Sequence, residues 1–448
     1  MKKNIITLLL ILGTVAVVSA QSTLKTSYFV EQSTMRHKLN SAFMGEQGYF
    51  AFPMLGDIGF GLNSAISLDE MTTPLSNGDL GLFLHPDVDS SQFLDGLKDD
   101  NYFTQRLNMS ILSMGFYKFG GFNTFDLSVR QNSSINLKKS FFEFLAGTES
   151  GSSAVYNMSG STIDMNAYAE LAFGHSRKIN DHLTVGAKFK YFVGLANVSM
   201  NLSQVELAMS EEMVDMQVQL DGELALMGAP ITGPLTDFEM GDMGGIGGGG
   251  MAFDFGAVYE MDRFKFSASM NDLGFMKWKN PSTVSATLDT QFSGFTNIDV
   301  EDFSGSTESQ SDDLEADFNA FTDSEFVAGD SYKSSLCSTL NLAAEYDIFE
   351  DKLSAGILYT KTFGMVSTSE AMLAVNYNLT DWFAVTLSGT QSTYGTYWGW
   401  MFNFSPGPIN FYIGSDSMVA KLTPQGIPYS SSNFSLNFGL SFNIGAKQ

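Results

Sequence analysis

Residues 183–195 read LTVGAKFKYFVGL. Leu183, Val185, Ala187, Phe189, Tyr191, Val193 and Leu195 share one parity. Thr184, Gly186, Lys188, Lys190, Phe192 and Gly194 take the other. Side chains of an extended chain point alternately to opposite faces, so this is a strand with one apolar face and one lysine-bearing face. Its length exceeds the roughly five or six residues of an ordinary soluble strand. It suffices for the ~9–11 residues that a tilted strand needs to cross a bilayer.

The alternation recurs along the chain. Ile58, Phe60, Leu62, Ile66 and Leu68 form one such face, and Trp398, Trp400, Phe402 and Phe404 another. Phe434, Leu436, Phe438, Leu440, Phe442 and Ile444 close the series. Strands are predicted at 57–68, 105–118, 122–136, 163–178, 182–202, 248–260, 263–279, 333–348, 352–365, 367–378, 382–395, 396–405, 408–418 and 432–446. The predicted fold is all-β, a transmembrane antiparallel β-barrel of about 14 strands, an even number as bacterial barrels require. Every second connection is short, at 119–123, 179–182, 261–263, 347–352, 378–382 and 406–408. The others include long stretches at 69–104, 137–162, 203–247, 280–332 and 419–431, with short exceptions near 366 and 395. Tight turns on one side and long outer loops on the other are the asymmetry of outer-membrane barrels.

The N-terminus agrees with export. Lys2 and Lys3 precede an apolar run from Ile5 to Val18, and Val18-Ser19-Ala20 is a small-residue cleavage site. Residues 1–20 therefore read as a signal peptide, and no later run is long and apolar enough for a transmembrane helix. Export without a helical span predicts the outer membrane of a Gram-negative cell, with outer-membrane lipid as the barrel's surroundings. Residues 21–56 precede the first predicted strand and form an N-terminal plug or hatch segment; 57–448 form the barrel. The formal net charge is −25, and more negative once Lys2 and Lys3 leave. That balance disfavours nucleic acid as a partner. Cys337 is the only cysteine, so no intramolecular disulfide forms. The outer loop 280–332 is acidic: residues 299–330 carry eleven Asp or Glu and no Lys or Arg. Its SDDLEADF stretch lacks the spaced aspartates and central glycine of a calcium loop.

Residues 244–256 read GGIGGGGMAFDFG, and Gly245, Gly247 and Gly250 match the G-x-G-x-x-G pattern. A dinucleotide site needs a helix after those glycines, whose N-terminus holds the pyrophosphate. Met251, Phe253, Phe255, Ala257 and Tyr259 alternate instead, which is a strand. Gly245, Gly247, Gly248, Gly249 and Gly250 are therefore read as close-approach glycines, letting a loop or plug lie against the wall.

Catalytic signals are weak. His37, His85, His175 and His182 show no metal-ligand spacing on one element, and no G-x-S-x-G elbow marks a nucleophile. No catalytic residue, metal or cofactor is assigned, and the chain is read as not an enzyme. His85 is the one histidine placed in an outer loop, where an outer-rim hydrolase would need it. Tyr394, Tyr397, Trp398 and Trp400 read as interfacial aromatics.

The stretches GHSRKINDHLTVGAKFKYFVG, GGGGMAFDFGAVYEMDRFKFSASMNDLGFMKW, GPINFYIGSDS and NFGLSFNIG resemble a family of uncharacterised outer-membrane barrels common in Bacteroidota. That family is distantly similar to the long-chain fatty-acid transporter superfamily. The resemblance implies a fourteen-strand barrel and an N-terminal hatch folded into it. In the transporters the hatch carries an Asn-Pro-Ala motif; the matching residues here are Leu39, Asn40, Ser41, Ala42 and Phe43. Serine stands in place of the proline, so the fixed φ of that motif is absent.

Two functions follow as expectations. One is passive uptake or binding of hydrophobic small molecules, suggested by the plug segment and by 39 Phe and 24 Met, since flexible methionines suit promiscuous apolar pockets. The other is an outer-membrane platform for protein secretion or surface attachment, with a protein partner at the outer loops.

Overall fold

The computed structural model describes residues 23–445, except 65, 68, 77–79, 86, 147–153, 210–213, 227–229, 231, 235–244, 293–315, 318, 322, 351 and 419–432. The predicted signal peptide and most of the acidic run at 299–330 lie outside the described residues.

Fourteen wall strands close into one antiparallel barrel. They are β1 (in two pieces, Gly48–Ala51 and Ile58–Ser64), β2 (Asp100–Lys118), β3 (Gly121–Lys138), β4 (Ser161–Lys178) and β5 (Leu183–Met209). Next come β6 (Gly248–Met261), β7 (Phe264–Trp278), β8 (in two pieces, Tyr332–Ser335 and Thr339–Phe349), β9 (Leu353–Thr362) and β10 (Thr368–Thr380). The last four are β11 (Phe383–Ser392), β12 (Gly395–Phe404), β13 (Ile409–Ser415) and β14 (Phe434–Ile444). Each pairs with its chain neighbour, and β14 closes the ring on β1, with Gly48 opposite Ile444 and Ile58 opposite Phe438. A closed ring leaves no unpaired edge, which is what allows strands to cross lipid.

The alternation behaves as read. On β5, Val185, Phe189 and Tyr191 are exposed on the outer wall, while Lys188, Lys190 and Phe192 are buried inside. Phe253, Phe255, Phe264, Phe266, Leu373 and Leu387 extend the outer apolar belt. The interior is rich in buried Asn, Ser, Thr, Asp and Glu. Apolar outside and polar inside is the inverse of a soluble core and the arrangement that a membrane-spanning barrel needs. Among the described residues no helix is long and apolar enough to cross a membrane.

The short turns sit on one rim. Phe119 and Gly120 both have positive φ, the backbone of a two-residue hairpin turn whose twist matches its strands.

The structure corrects the reading of the first strand and of two outer connections. The first strand begins at Gly48, not 57. Pro53 and Gly56 interrupt it, so the earlier piece reads as loop; yet Phe52 N–H donates to Leu440 O (2.8 Å) and Ser110 N–H to Asp57 O (2.9 Å), and the wall stays bonded across the break. The outer connections 203–247 and 280–332 are also not plain loops. Val214–Leu226 pairs with the outer half of β5 on one side and with Ser282–Phe292 on the other. Together they form a sheet beyond the barrel, extended by Ala154–Asn157 on β5 and by Glu325–Ala328 on Ser282–Phe292. Val198, Leu224, Val284 and Phe326 pack on its apolar face. At the same rim, helices α1 (Ser91–Gly96) and α2 (Lys139–Ala146) bury Phe93, Leu94 and Phe142 with Ile66 and Phe83.

Candidate functional site in the barrel interior

Residues 23–47 contain no strand and lie largely buried among inward-facing wall side chains. Ion pairs and hydrogen bonds fix them along their length. Lys25 pairs with Glu370. The backbone N–H groups of Lys25 and Thr26 donate to Asp416 at 2.9 and 2.8 Å. Glu31 accepts from Lys265 at 2.6 Å. His37 Nε2 lies 3.1 Å from Asp126 Oδ2, and Lys38 donates to Asp57 at 2.7 Å. Asp57 is aimed inward by the break in β1 and also accepts from Asn108 (3.0 Å) and Tyr412.

Leu39, Asn40, Ser41, Ala42 and Phe43 are all buried here. The carbonyl of Leu39 accepts from Ser269, Asn271 and Asn341 at 2.8, 2.8 and 3.0 Å. Asn40 Oδ1 accepts the Ala42 N–H at 2.9 Å, and Ser41 Oγ donates to Gly186 O at 3.1 Å. This side-chain-to-backbone bond of Asn40 gives the turn a constraint of its own where a proline ring is absent. Phe43 lies edge-on to Tyr28, and the Arg36 guanidinium stacks over its ring at 4.4 Å.

The glycines that admit this segment are Gly186 and Gly256. A Cβ on Gly186 would stand 2.0 Å from Ser41 O, and one on Gly256 would stand 2.1 Å from Asn40 Oδ1. The run expected to serve a plug faces other partners. Gly245 has nothing nearby, Gly247 meets Leu226, Gly248 meets Lys277 and Trp278, Gly249 meets Phe192, and Gly250 meets Phe275 and Met276. Those glycines allow tight strand-to-strand packing; the close approach to the N-terminal segment is made further along, at the last residue of the GGIGGGGMAFDFG stretch.

The aromatic assignment is likewise split. Trp398 is exposed and Trp400 half-exposed on the outer wall, but Tyr394 and Tyr397 are buried and face inward. Tyr397 donates to Glu370 at 3.0 Å. Adjacent strand residues cannot share a face, so Tyr397 and Trp398 belong to opposite sides.

Sequence reasoning missed the charge network above the segment. Lys190 bridges Asp254 (2.8 Å) and Asp272 (2.6 Å), and Arg130 spans Glu170 (2.7 Å) and Asp272 (2.9 Å). Lys188 lies 3.6 Å from Asp126. Asp272 adopts positive φ beside a register shift between β6 and β7, and its N–H donates to Asp254 at 2.7 Å. Such an irregularity re-aims a side chain, here into the ion network. The inward parity of Lys188 and Lys190 was visible in the sequence; their partners depend on register. Burial and the Lys188 ammonium push the His37 imidazole below its usual value, against the opposing pull of Asp126. Among the described residues no group of three or more His, Cys, Asp or Glu could hold a metal ion. His85 lies in the outer loop beside Asp87, half-exposed.

Several cavities lie among the described residues. An outer cavity of about 470 Å³ is walled by Ile66, Met71, Phe83, Phe93 and Leu97 with Asp69, Glu70 and Asp89. Tyr394 lines both it and a narrow neck of about 20 Å³. Lys25 and Arg106 line both the neck and a polar lumenal cavity of about 110 Å³, whose wall includes Lys38, Leu39 and Cys337. A further cavity of about 280 Å³ is walled by Ala42, Phe43 and Arg36, with Tyr117 and Glu260 near the short turns.

Solved structures with similar outlines include the toluene transporter TbuX of Ralstonia pickettii (9% identity, 92% of each chain, TM-score 0.41). The TodX deltaS2S3 mutant monoaromatic hydrocarbon channel gives 8% identity, 95% of each chain and 0.43. A FadL homologue of Pseudomonas aeruginosa gives 11%, 94% of each chain and 0.40. A search of curated proteins finds no match. The profile of one family covers residues 42–416, from Ala42 in the buried turn to Asp416 at the end of β13. The chain belongs to that family, the family of unknown function DUF5723.

Proposed function

We propose that this chain is an outer-membrane barrel that captures hydrophobic or amphipathic small molecules in its outer cavity, above a lumen plugged by residues 23–47. The observation that carries the proposal is the outer cavity of about 470 Å³, with its Phe83, Phe93, Ile66, Met71 and Leu97 wall and its shared residue Tyr394 leading to the neck. Thr72, Gln92, Lys98 and Asn101 stand beside these apolar groups, a mixed lining that offers an amphipathic ligand both an apolar contact and polar partners. The outer apolar belt and the signal-peptide reading of residues 1–20 support the outer membrane as its location. Plugging is supported by Lys38 and Leu39 lining the lumenal cavity while Ala42 and Phe43 line the cavity on the turn side. Passage then requires the segment to shift.

The test is binding of a neutral fluorescent probe such as N-phenyl-1-naphthylamine to the detergent-purified barrel. Saturable binding lost in Phe93→Asp supports capture; equal binding by both proteins removes it. A second reading, an assembly platform, is favoured by the sheet that extends beyond the barrel. Its second face exposes Ser203, Gln204, Glu206, Ser285, Thr287 and Asp289. Mild-detergent extraction distinguishes the two: a stoichiometric protein partner supports the platform, and a barrel that always isolates alone removes it.

A further inference from the structure

The lumen pairs most of its cations; among the described residues Arg36, which lies over the Phe43 ring, and Arg106 make no ion pair. Lys25, Lys38, Arg130, Lys188 and Lys190 each lie within 4 Å of a carboxylate. Arg106 on β2 lines the same lumenal cavity and the neck, yet makes no ion pair and no hydrogen bond among the described residues. The carboxylates that share the neck with it are engaged elsewhere. Glu370 takes Lys25, Tyr397 at 3.0 Å and Ser392 at 3.3 Å. Asp416 takes the N–H groups of Lys25 and Thr26 and the Thr26 hydroxyl at 2.8 Å.

A half-buried guanidinium offers five donors in a fixed fork and cannot shed its charge. Leaving such donors without acceptors away from bulk water is unfavourable. Arginine's fork matches the spacing of two oxygens on one acid group, and arginine or lysine facing a pore selects anions. The cavity at this point is small and polar, with Asn108, Asn132 and Ser128 on its wall.

We propose that Arg106 binds an oxyanion group, a carboxylate, phosphate or sulfate, where the neck opens into the lumenal cavity. The guanidinium takes two oxygens of the acid group. The group belongs either to a small free anion or to the headgroup of an amphiphile that entered from the outer cavity. This site is separate from apolar capture at the outer rim and stands or falls independently of it.

The test is calorimetric titration of the full chain in dodecyl maltoside, at ionic strength held constant with chloride, using inorganic phosphate and, separately, dodecyl phosphate. Saturable binding is expected, weakened at least roughly tenfold in Arg106→Met, as loss of a charged hydrogen-bonding group implies, and partly kept in Arg106→Lys. Phosphate binding as tightly as dodecyl phosphate supports the site with a small anion as occupant; binding of dodecyl phosphate alone supports it with a headgroup. Failure of both to bind the wild-type chain overturns the proposal, as does unchanged affinity in Arg106→Met, which would leave Arg106 as a distant counter-charge to Glu370 and Asp416. Should Arg106→Met not fold, judged by loss of the compact band in unheated gels, the wild-type chain still decides. Cys337 lines the same cavity, so the better-binding ligand at saturation should slow its reaction with a maleimide severalfold, and an unchanged rate overturns the location.

Discussion

Gly256 on β6 and Asn40 of the N-terminal segment touch so closely that no side chain fits between them: a Cβ on Gly256 would stand 2.1 Å from Asn40 Oδ1 and 2.8 Å from the Ala42 N–H. The same holds opposite Ser41 at Gly186. Two glycines on neighbouring strands thus form the bed on which residues 40–42 lie.

Substituting Gly256→Val should therefore expel the turn while leaving the wall strands paired. Overpacking of this kind costs about 1–3 kcal/mol. The readout is labelling of Cys337, the only thiol, by a bulky polyethylene-glycol maleimide, expected to rise about 5- to 150-fold, the equivalent of that cost. Gly249→Ala is the control. A Cβ there meets only Phe192 O at 3.6 Å and Tyr191 at 3.8 Å, so its labelling rate should match the wild-type chain.

Asp57→Asn should loosen the segment through charge rather than shape. Lys38 is nearly buried against Asp57, and stripping one partner from a buried pair costs about 3–5 kcal/mol. Cys337 labelling should accelerate, and the double variant Lys38→Met with Asp57→Asn should label more slowly than Asp57→Asn alone. Equal rates for wild type and Asp57→Asn would show that the pair does not hold the segment.

Docking should also weaken in mild acid. The His37 value when docked lies below its usual 6.5, pushed down by burial and by Lys188. The undocked segment therefore binds the proton more readily. The sign follows: His37 leaves docking unaffected above about pH 6.5, the unperturbed value, and weakens it as pH falls below that. Labelling of Cys337, corrected for thiolate fraction with a free thiol standard, should rise between pH 7 and 5. His37→Gln should flatten that rise.

Outer capture is separable from plugging. Phe93 packs against Phe83 with ring centroids 4.5 Å apart and against Phe142 at 5.9 Å. Phe93→Asp should abolish binding of the neutral probe while Cys337 labelling stays at the wild-type rate. Loss of both together would tie the outer cavity to the segment.

Much of this architecture was legible because lipid outside and polar side chains inside write period two over long runs. The parity of Val185, Phe189 and Tyr191 against Lys188 and Lys190 located β5 and its faces directly. What failed did so for identifiable reasons. Tyr394 and Tyr397 were grouped with Trp398 by residue type, although parity alone separates Tyr397 from Trp398. Val214, Met216, Val218 and Leu220 alternate with Asp215, Gln217, Gln219 and Asp221, but membrane-length reasoning ended β5 near 202 and left its sheet partner as loop. The glycine bed is half legible: Gly186 shares the parity of Lys188 and Lys190, but which segment lies on it and on Gly256 is a long-range contact that no local pattern records. The Arg130, Lys190, Asp254 and Asp272 network depends on register and on one irregular residue, Asp272, for the same reason.

The most direct test of a lumen plugged by its own N-terminus is conductance in planar bilayers, comparing the mature chain with a version lacking residues 23–47. Refolded barrels of both would first be checked by their compact bands in unheated gels. A plugged lumen predicts no steady conductance from the mature chain and open, ohmic channels from the truncated one. Steady conductance from the mature chain, or none from a folded truncated barrel, would contradict it.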